Sequence, residues 1–568
     1  MTQDTPKPPA LREHLAEIVT GAIRGGGMDV VNAILAQPNA AELVAALHPE
    51  ELHRLVHELG KQDSVDILRC ASVEQVQGML DLDDWVAGSF SPDRLQEMLG
   101  IAAAAGDDVV ERLFEAMDDE TIGLFLLKRC KVLQRTFEPE QEEQLQEQGE
   151  YFLTPDGAFF VLLPFKDRNY AAVRFFVEHL YGYDKEEAIS LLKTLVYEEA
   201  DVLEEEALRF RNARVGTMGF PSGDEVQRIF KYLNPVKARE KVRSTIGRFR
   251  KYPAQERSLL PALVGLEHQE APFLQKALGR LSDDADRATF AEALVTLSNA
   301  VYAHATSGDL AAMARYPDAL RRSLSLFNLG LEYITDGNAE TAGALLTRIW
   351  PKTLFRIGHS ATVLLREHAR KLMGVSGAEH GFFLFDPPLD EVIRGAVREV
   401  PQYFEGIADE SKTTWRDFRS LSEFTRTKAV LKQAEEVAKF CLAVLRADPA
   451  KLAETVPEPL RPAVTHTTLM ATALLNGLLG REDLLAPIPV KEVASVSQVV
   501  LVAGAGGTRQ VNPRLVEAMN RFNSTAENQF AAALIELSLK KLQDAFERLP
   551  SGADPDPRFL AGAVLVKP

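Results

Sequence analysis

Between Asn39 and Cys130, apolar residues recur at helical spacing in a run of short segments, most of them opened by a helix-start signal. Leu43, Val44 and Leu47 fall on one face of the first segment, and Leu52, Leu55, Val56 and Leu59 on one face of the second. Pro49 suits the first helical position of the second, where its missing N–H has no partner to lose. Ser72 and Gln75 have capping-box spacing ahead of a stripe made by Val73, Val76, Met79 and Leu80. Ser91-Pro92 then opens Leu95, Met98 and Leu99, Asp107 opens Val110, Leu113 and Phe114, and Asp118 opens Ile122, Phe125 and Leu126. Helices this short are marginal in water on their own, so each must bury its stripe against its neighbours. That requirement predicts a helical-repeat, superhelical array over residues 11–136.

The rest of the chain reads as further helical material with one interruption. Residues 1–10 are polar and Pro-rich and are read as a disordered leader. Residues 137–150, nearly all Glu and Gln, are read as an acidic linker, either a solvated loop or a helical connector. Beyond it, YFLTPDGAFFVLLPF predicts a small β-hairpin near residues 150–163 around Pro155-Asp156-Gly157, which must lie against helices because two strands alone are marginal. Helical periodicity resumes, giving a hairpin-plus-helix unit over 151–258, a helical body over 259–376, a C-terminal helical unit over 377–550 and a tail over 551–568. Within the C-terminal unit, PIPVKEVASVSQVV is β-branched, yet Val490, Val493, Val496 and Val500 keep three-to-four spacing and favour helix. The expected fold class is all-α with one small β-hairpin.

Composition narrows the function classes. The 568 residues carry 46% hydrophobic and 26% charged side chains, the balance of an ordinary globular chain. A formal charge of -18 opposes sequence-independent nucleic-acid binding, because phosphates are repelled before contact. No run approaches the roughly 18 apolar residues of a membrane span, and the N-terminus lacks the pattern of a secretory signal. Cys70, Cys130 and Cys441 are far apart and odd in number, so they read as buried thiols in a reducing compartment, and the cytoplasm is the expected location.

Candidate chemistry is sparse. Gly25-Gly26-Gly27 lacks the Gly-Lys-Ser/Thr continuation of a phosphate loop, and the Gly504, Gly506, Gly507 cluster has Arg509 where a dinucleotide turn needs its third glycine. His53 and His57 lie four apart on one helix, but Arg54 stands where a zinc protease places its glutamate, and the pair is read as surface histidines beside the apolar stripe. Asp81, Asp83 and Asp84 lack EF-hand spacing and are read as solvated loop carboxylates and helix caps. No catalytic residue, metal site or cofactor is therefore assigned. Lys237 to Arg257 holds eight Lys or Arg, and Arg243, Arg248, Phe249, Arg250, Lys251 and Tyr252 form its candidate partner-binding set. A polar group of Glu205, Glu206, Arg209, Arg211, Arg214 and His359 is the other candidate, with Glu205 or Glu206 expected to tie to Arg209 and Arg211. His359 by itself reads as a hydrogen-bonded core or groove histidine.

The run EEEALRFRNARVGTMGFPSGDEVQRIF, together with LDLDDW at Leu80 to Trp85, PDGAFF, and the stretch from Ser325 to Ser360, resembles a large bacterial family described only as a domain of unknown function. This resemblance spans most of the chain and implies no activity or catalytic residues. The opening repeats separately resemble the short-helix superhelices of magnesium-transporter N-terminal domains and flagellar rotor proteins, which implies architecture alone. Helical-repeat surfaces suit protein recognition, so the leading expectation is a non-enzymatic cytoplasmic scaffold or adaptor with a protein partner, within a larger assembly or as a homo-oligomer. Two alternatives stay open: an enzyme with a site around the Glu/Arg cluster and His359, and a regulator controlled by a cation or an anion.

Overall fold

The computed structural model describes residues 9–22, 25–136, 138–221, 223–245, 271–503, 509–526, 528–548, 560 and 562–567. They are mostly helical, with a few short strands, so the fold is all-α with a small β element. By its internal packing the chain divides into two compact units, one of Met1–Lys231, Arg243–Phe327 and Asn338–Arg356, the other of Tyr232–Val242, Asn328–Gly337 and Ile357–Pro568.

The first unit begins with a run of short helices, α1 (Pro9–Ala22), α2 (Gly27–Leu35), α3 (Ala40–Ala45), α4 (Pro49–Leu59), α5 (Val65–Arg69) and α6 (Val73–Asp83), of which α3, α4 and α6 stand where the sequence spacing predicts them and α2 is additional. A two-residue pair, β1 (Trp85–Val86) with β2 (Ser89–Phe90), leads into α7 (Pro92–Ala105), α8 (Asp107–Ala116) and α9 (Asp119–Arg129). The starts of α6 and α9 are fastened as expected, Asp118 Oδ1 accepting from the Thr121 N–H at 3.0 Å, whereas Ser91 makes no side-chain cap to α7 and α8 is entered from Gly106. Ser72 Oγ accepts from the Gln75 N–H at 3.3 Å while Gln75 Oε1 accepts from the Ser72 N–H at 2.8 Å, and the Gln75 amide reaches on to donate to the carbonyls of Val44 and Leu47, both at 2.7 Å. One side chain thus caps α6 and stitches it to the end of α3.

The predicted hairpin is present but is larger than two strands. β3 (Lys131–Gln134) pairs antiparallel with β5 (Phe159–Leu163), whose other edge takes β4 (Glu150–Leu153), giving the order β3-β5-β4. Gly157 takes a positive φ of 70° in the turn, and Asp156 Oδ1 braces it by accepting from Thr154 Oγ1, the Ala158 N–H and Tyr181 Oη. The acidic segment forms α10 (Pro139–Gln148), with Leu145 buried against Phe160 and Leu162. Helices α11 (Tyr170–Tyr183), α12 (Lys185–Leu195) and α13 (Ala200–Thr217) follow. A continuous core runs from Leu15 to Ala207, so both sides of the acidic segment belong to one hydrophobic interior. At its centre Phe176 meets Phe125 at 4.4 Å and Phe114 at 4.9 Å between ring centroids.

The second unit has its own core, built mainly from helices Leu421–Leu445, His466–Leu478, Val490–Val500 and Gln529–Glu547. The β-branched Val490–Val500 stretch is helical, as its three-to-four spacing predicts, and strand Leu501–Ala503 follows it and pairs with Arg509–Val511. The Gly504, Gly506, Gly507 cluster lies outside the described residues. Cys130 and Cys441 are buried free thiols and Cys70 is half-buried. Among the described residues no helix is long and apolar enough to cross a membrane.

Candidate functional site

Among the described residues, a close group of histidine and aspartate side chains lies where α4 meets α6. Helix α4 turns His53 and His57 to one side, four residues apart, and α6 ends there with Asp81, Asp83 and, just past its last turn, Asp84. Three carboxylates at a helix C-terminus face the negative end of its dipole, so each needs compensation from elsewhere in the fold. Asp83 Oδ1 accepts from His53 Nε2 at 2.7 Å and His57 Nε2 at 2.8 Å, and Lys61 Nζ lies 3.1 Å from its other oxygen. Asp81 takes both arms of Arg214, at 2.6 and 2.8 Å, and its carbonyl accepts from Arg211 Nε at 2.8 Å. Asp84 is completely buried, and neither carboxyl oxygen has a hydrogen-bond partner.

These positions correct two expectations. His53 is 2% exposed and His57 only partly exposed, so they are not a surface pair. The face beside the Leu52, Leu55, Leu59 stripe is covered because α6 packs on it and delivers Asp83 there. Asp81, Asp83 and Asp84 are likewise buried, not solvated loop groups.

The electrostatics follow from burial and charge. Burial works against the ionised Asp83, yet His53 and His57 outweigh it and hold its pKa well below the usual carboxylate range. Asp84 moves the other way: burial, then the neighbouring charge of Asp83, push it well above that range. His53 is lowered by burial despite Asp83, and Lys61 is raised because Asp83 outweighs its burial. At neutral pH the group therefore holds an Asp83 carboxylate, a Lys61 ammonium and a neutral His53, while burial and the Asp83 charge bias Asp84 toward its protonated form. Near the start of α4, Glu51 accepts both arms of Arg12, at 2.7 and 3.1 Å, while burial pushes the adjacent Glu50 up to about 8.

A distant segment completes the surroundings. Arg94 donates to the Asp83 carbonyl at 2.8 Å and makes a two-armed pair with Asp309, at 2.8 and 3.0 Å. Asp309 follows helix Asp284–Ala305 and lies in the same compact unit. No local pattern in the sequence marks it.

The other candidate residues separate. Arg211 and Arg214 face inward to Asp81, and Arg214 also reaches Asp118 at 3.1 Å. Glu205, Glu206 and Arg209 are exposed on the opposite side of α13, and the glutamate that pairs inward is Glu204, with Lys128 at 2.7 Å. The expected Glu205 or Glu206 tie to Arg211 is thus replaced by Arg211 on the Asp81 carbonyl, because Arg211 sits a further stretch around the helix, over the end of α6. His359 is buried in helix Pro351–Val375, in the part assigned to the second unit. Arg248, Phe249, Arg250, Lys251 and Tyr252 lie outside the described residues, as does the side chain of Arg243, whose backbone is in helix Pro235–Thr245.

A family model matches the chain over residues 10–566. The chain belongs to DUF6178, a family of unknown function. No curated protein and no solved structure matches this DUF6178 member. Two of the runs on which the sequence resembles such a family, LDLDDW and EEEALRFRNARVGTMGFPSGDEVQRIF, meet at Asp81, Arg211 and Arg214. Motifs read separately along the chain are two halves of one charged joint.

Proposed function

We propose that this DUF6178 member is a non-enzymatic cytoplasmic scaffold or adaptor that binds another protein through its helical surface, with the outward side of α13 as the contact. The observation that carries this reading is the contrast between the two sides of that helix. Its inner side is locked by Glu204 to Lys128 and by Arg211 and Arg214 to Asp81. Its outer side leaves Val202 52% and Phe210 40% exposed, interspersed with Glu205, Glu206 and Arg209, and Tyr197 just before it is 83% exposed. Apolar and aromatic anchors among charges, on a helix that does not have to be ordered on binding, suit a protein interface.

The test is a pull-down from the native cell with the full chain and with a Val202→Glu, Phe210→Glu variant. The parent is expected to retain a stoichiometric protein that the variant loses, while both keep the same circular dichroism and elution volume. A parent that retains none, or a variant that retains the same partner equally well, would overturn the proposal.

A further inference from the structure

We propose that His53, His57 and Asp83 form a site for one divalent transition-metal ion of the zinc and cobalt type, which goes beyond the scaffold reading and does not depend on it. The ligand atoms, one from each residue, all lie within 4.8 Å of one another. Two imidazoles and a carboxylate are the donor set such ions favour.

The local geometry is close to what coordination requires. Both histidines come from one face of α4 and the carboxylate from the end of α6, so a bound ion would join two helices that the core already packs together. Metal–ligand bonds of about 2.0–2.2 Å place neighbouring tetrahedral ligands roughly 3.3 Å apart. The histidine nitrogens now lie 2.7 and 2.8 Å from Asp83 Oδ1, so the ligands need to part by only about half an ångström. In the metal-bound form each imidazole carries its proton on Nδ1, which frees Nε2 as a donor of its lone pair. Lys61 approaches the other oxygen, Oδ2, leaving Oδ1 to bind the ion alone, and Glu97 at 3.4 Å offers that ammonium a second partner.

Asp84 is the independent observation that points to a cation. A completely buried carboxyl with no hydrogen-bond partner on either oxygen is costly and rare. It is the residue next to Asp83. A divalent ion at Asp83 would place a positive charge beside this buried, unpartnered carboxyl. Three protein ligands leave one tetrahedral position for a water or a further group.

The test uses the full-length chain, freed of any affinity tag and stripped with a chelator. Titration with zinc chloride by calorimetry is expected to show one equivalent bound, and cobalt chloride is expected to give the visible ligand-field absorption of a low-coordinate nitrogen and oxygen site. His57→Gln, at the least buried ligand, is expected to weaken zinc binding at least about 100-fold and to abolish the cobalt spectrum. Asp84→Asn, which keeps the shape, is expected to weaken binding about 10-fold and to change the cobalt band. The proposal is overturned if the parent shows neither zinc heat nor a cobalt spectrum at millimolar metal, or if folded His57→Gln binds as the parent does. Should His57→Gln not fold, the parent titration together with Asp84→Asn decides.

Discussion

Glu50 gives the sharpest quantitative expectation. It stands near the start of α4, partly buried, with its carboxyl pushed up by desolvation to about 8 from an ordinary value of 4.5. Between those two pH values the folded chain holds a proton that the unfolded chain has released. Stability therefore falls as pH rises through that window, by about 1.4 kcal/mol per pH unit, and the loss levels off above the folded value. At pH 7 it amounts to roughly 3 kcal/mol. Glu50→Gln keeps the shape of the neutral acid and has no proton to lose. The variant is expected to be more stable than the parent by roughly 3 kcal/mol at pH 7 and about equal to it near pH 4.5. Because the chain has two units, amide hydrogen exchange read on peptides of α4 and α6 is the suitable assay, and the gain corresponds to exchange slowed by roughly 100-fold. A variant that exchanges faster than the parent at pH 7, or whose gain does not change between pH 4.5 and 7, would refute the reasoning.

Two further outcomes follow from the same unit. Arg214→Met removes the two-armed partner of the buried Asp81, and is expected to cost about 3 kcal/mol by thermal or denaturant unfolding, with much of the loss recovered when Asp81→Leu is added. Ser72→Ala deletes one half of the α6 capping box and should lower stability by about 1 kcal/mol, an effect that Ser72→Asp largely avoids.

Much of this fold is legible in the sequence because local rules act within a few residues. The capping box at Ser72 and Gln75, the proline at the first position of α4 and the Pro155-Asp156-Gly157 turn all stand where spacing puts them. The helix at Val490–Val500 shows periodicity overriding β-branched composition. Strand β3 is hidden because four residues with only Val132 buried carry too little alternation to register; it exists because β5 offers it an edge. The charged joint is hidden for another reason. His53, His57 and the acid triplet are each unremarkable at their own position, and their meaning depends on α4 and α6 packing together. One signal was available locally: three acids at the C-terminal end of an amphipathic helix are electrostatically misplaced unless buried cations meet them. Arg211 and Arg214 supply part of that answer from more than a hundred residues away.

The pairing of Arg94 with Asp309 closes over 215 residues of chain. At a synthesis rate of about 5–20 residues per second, the ribosome delivers Asp309 roughly ten to forty seconds after Arg94. Of the two partners of Arg94, Asp83 is made before it, and the Asp309 carboxylate is the one still to come. That pair therefore cannot close before residue 309 has been made.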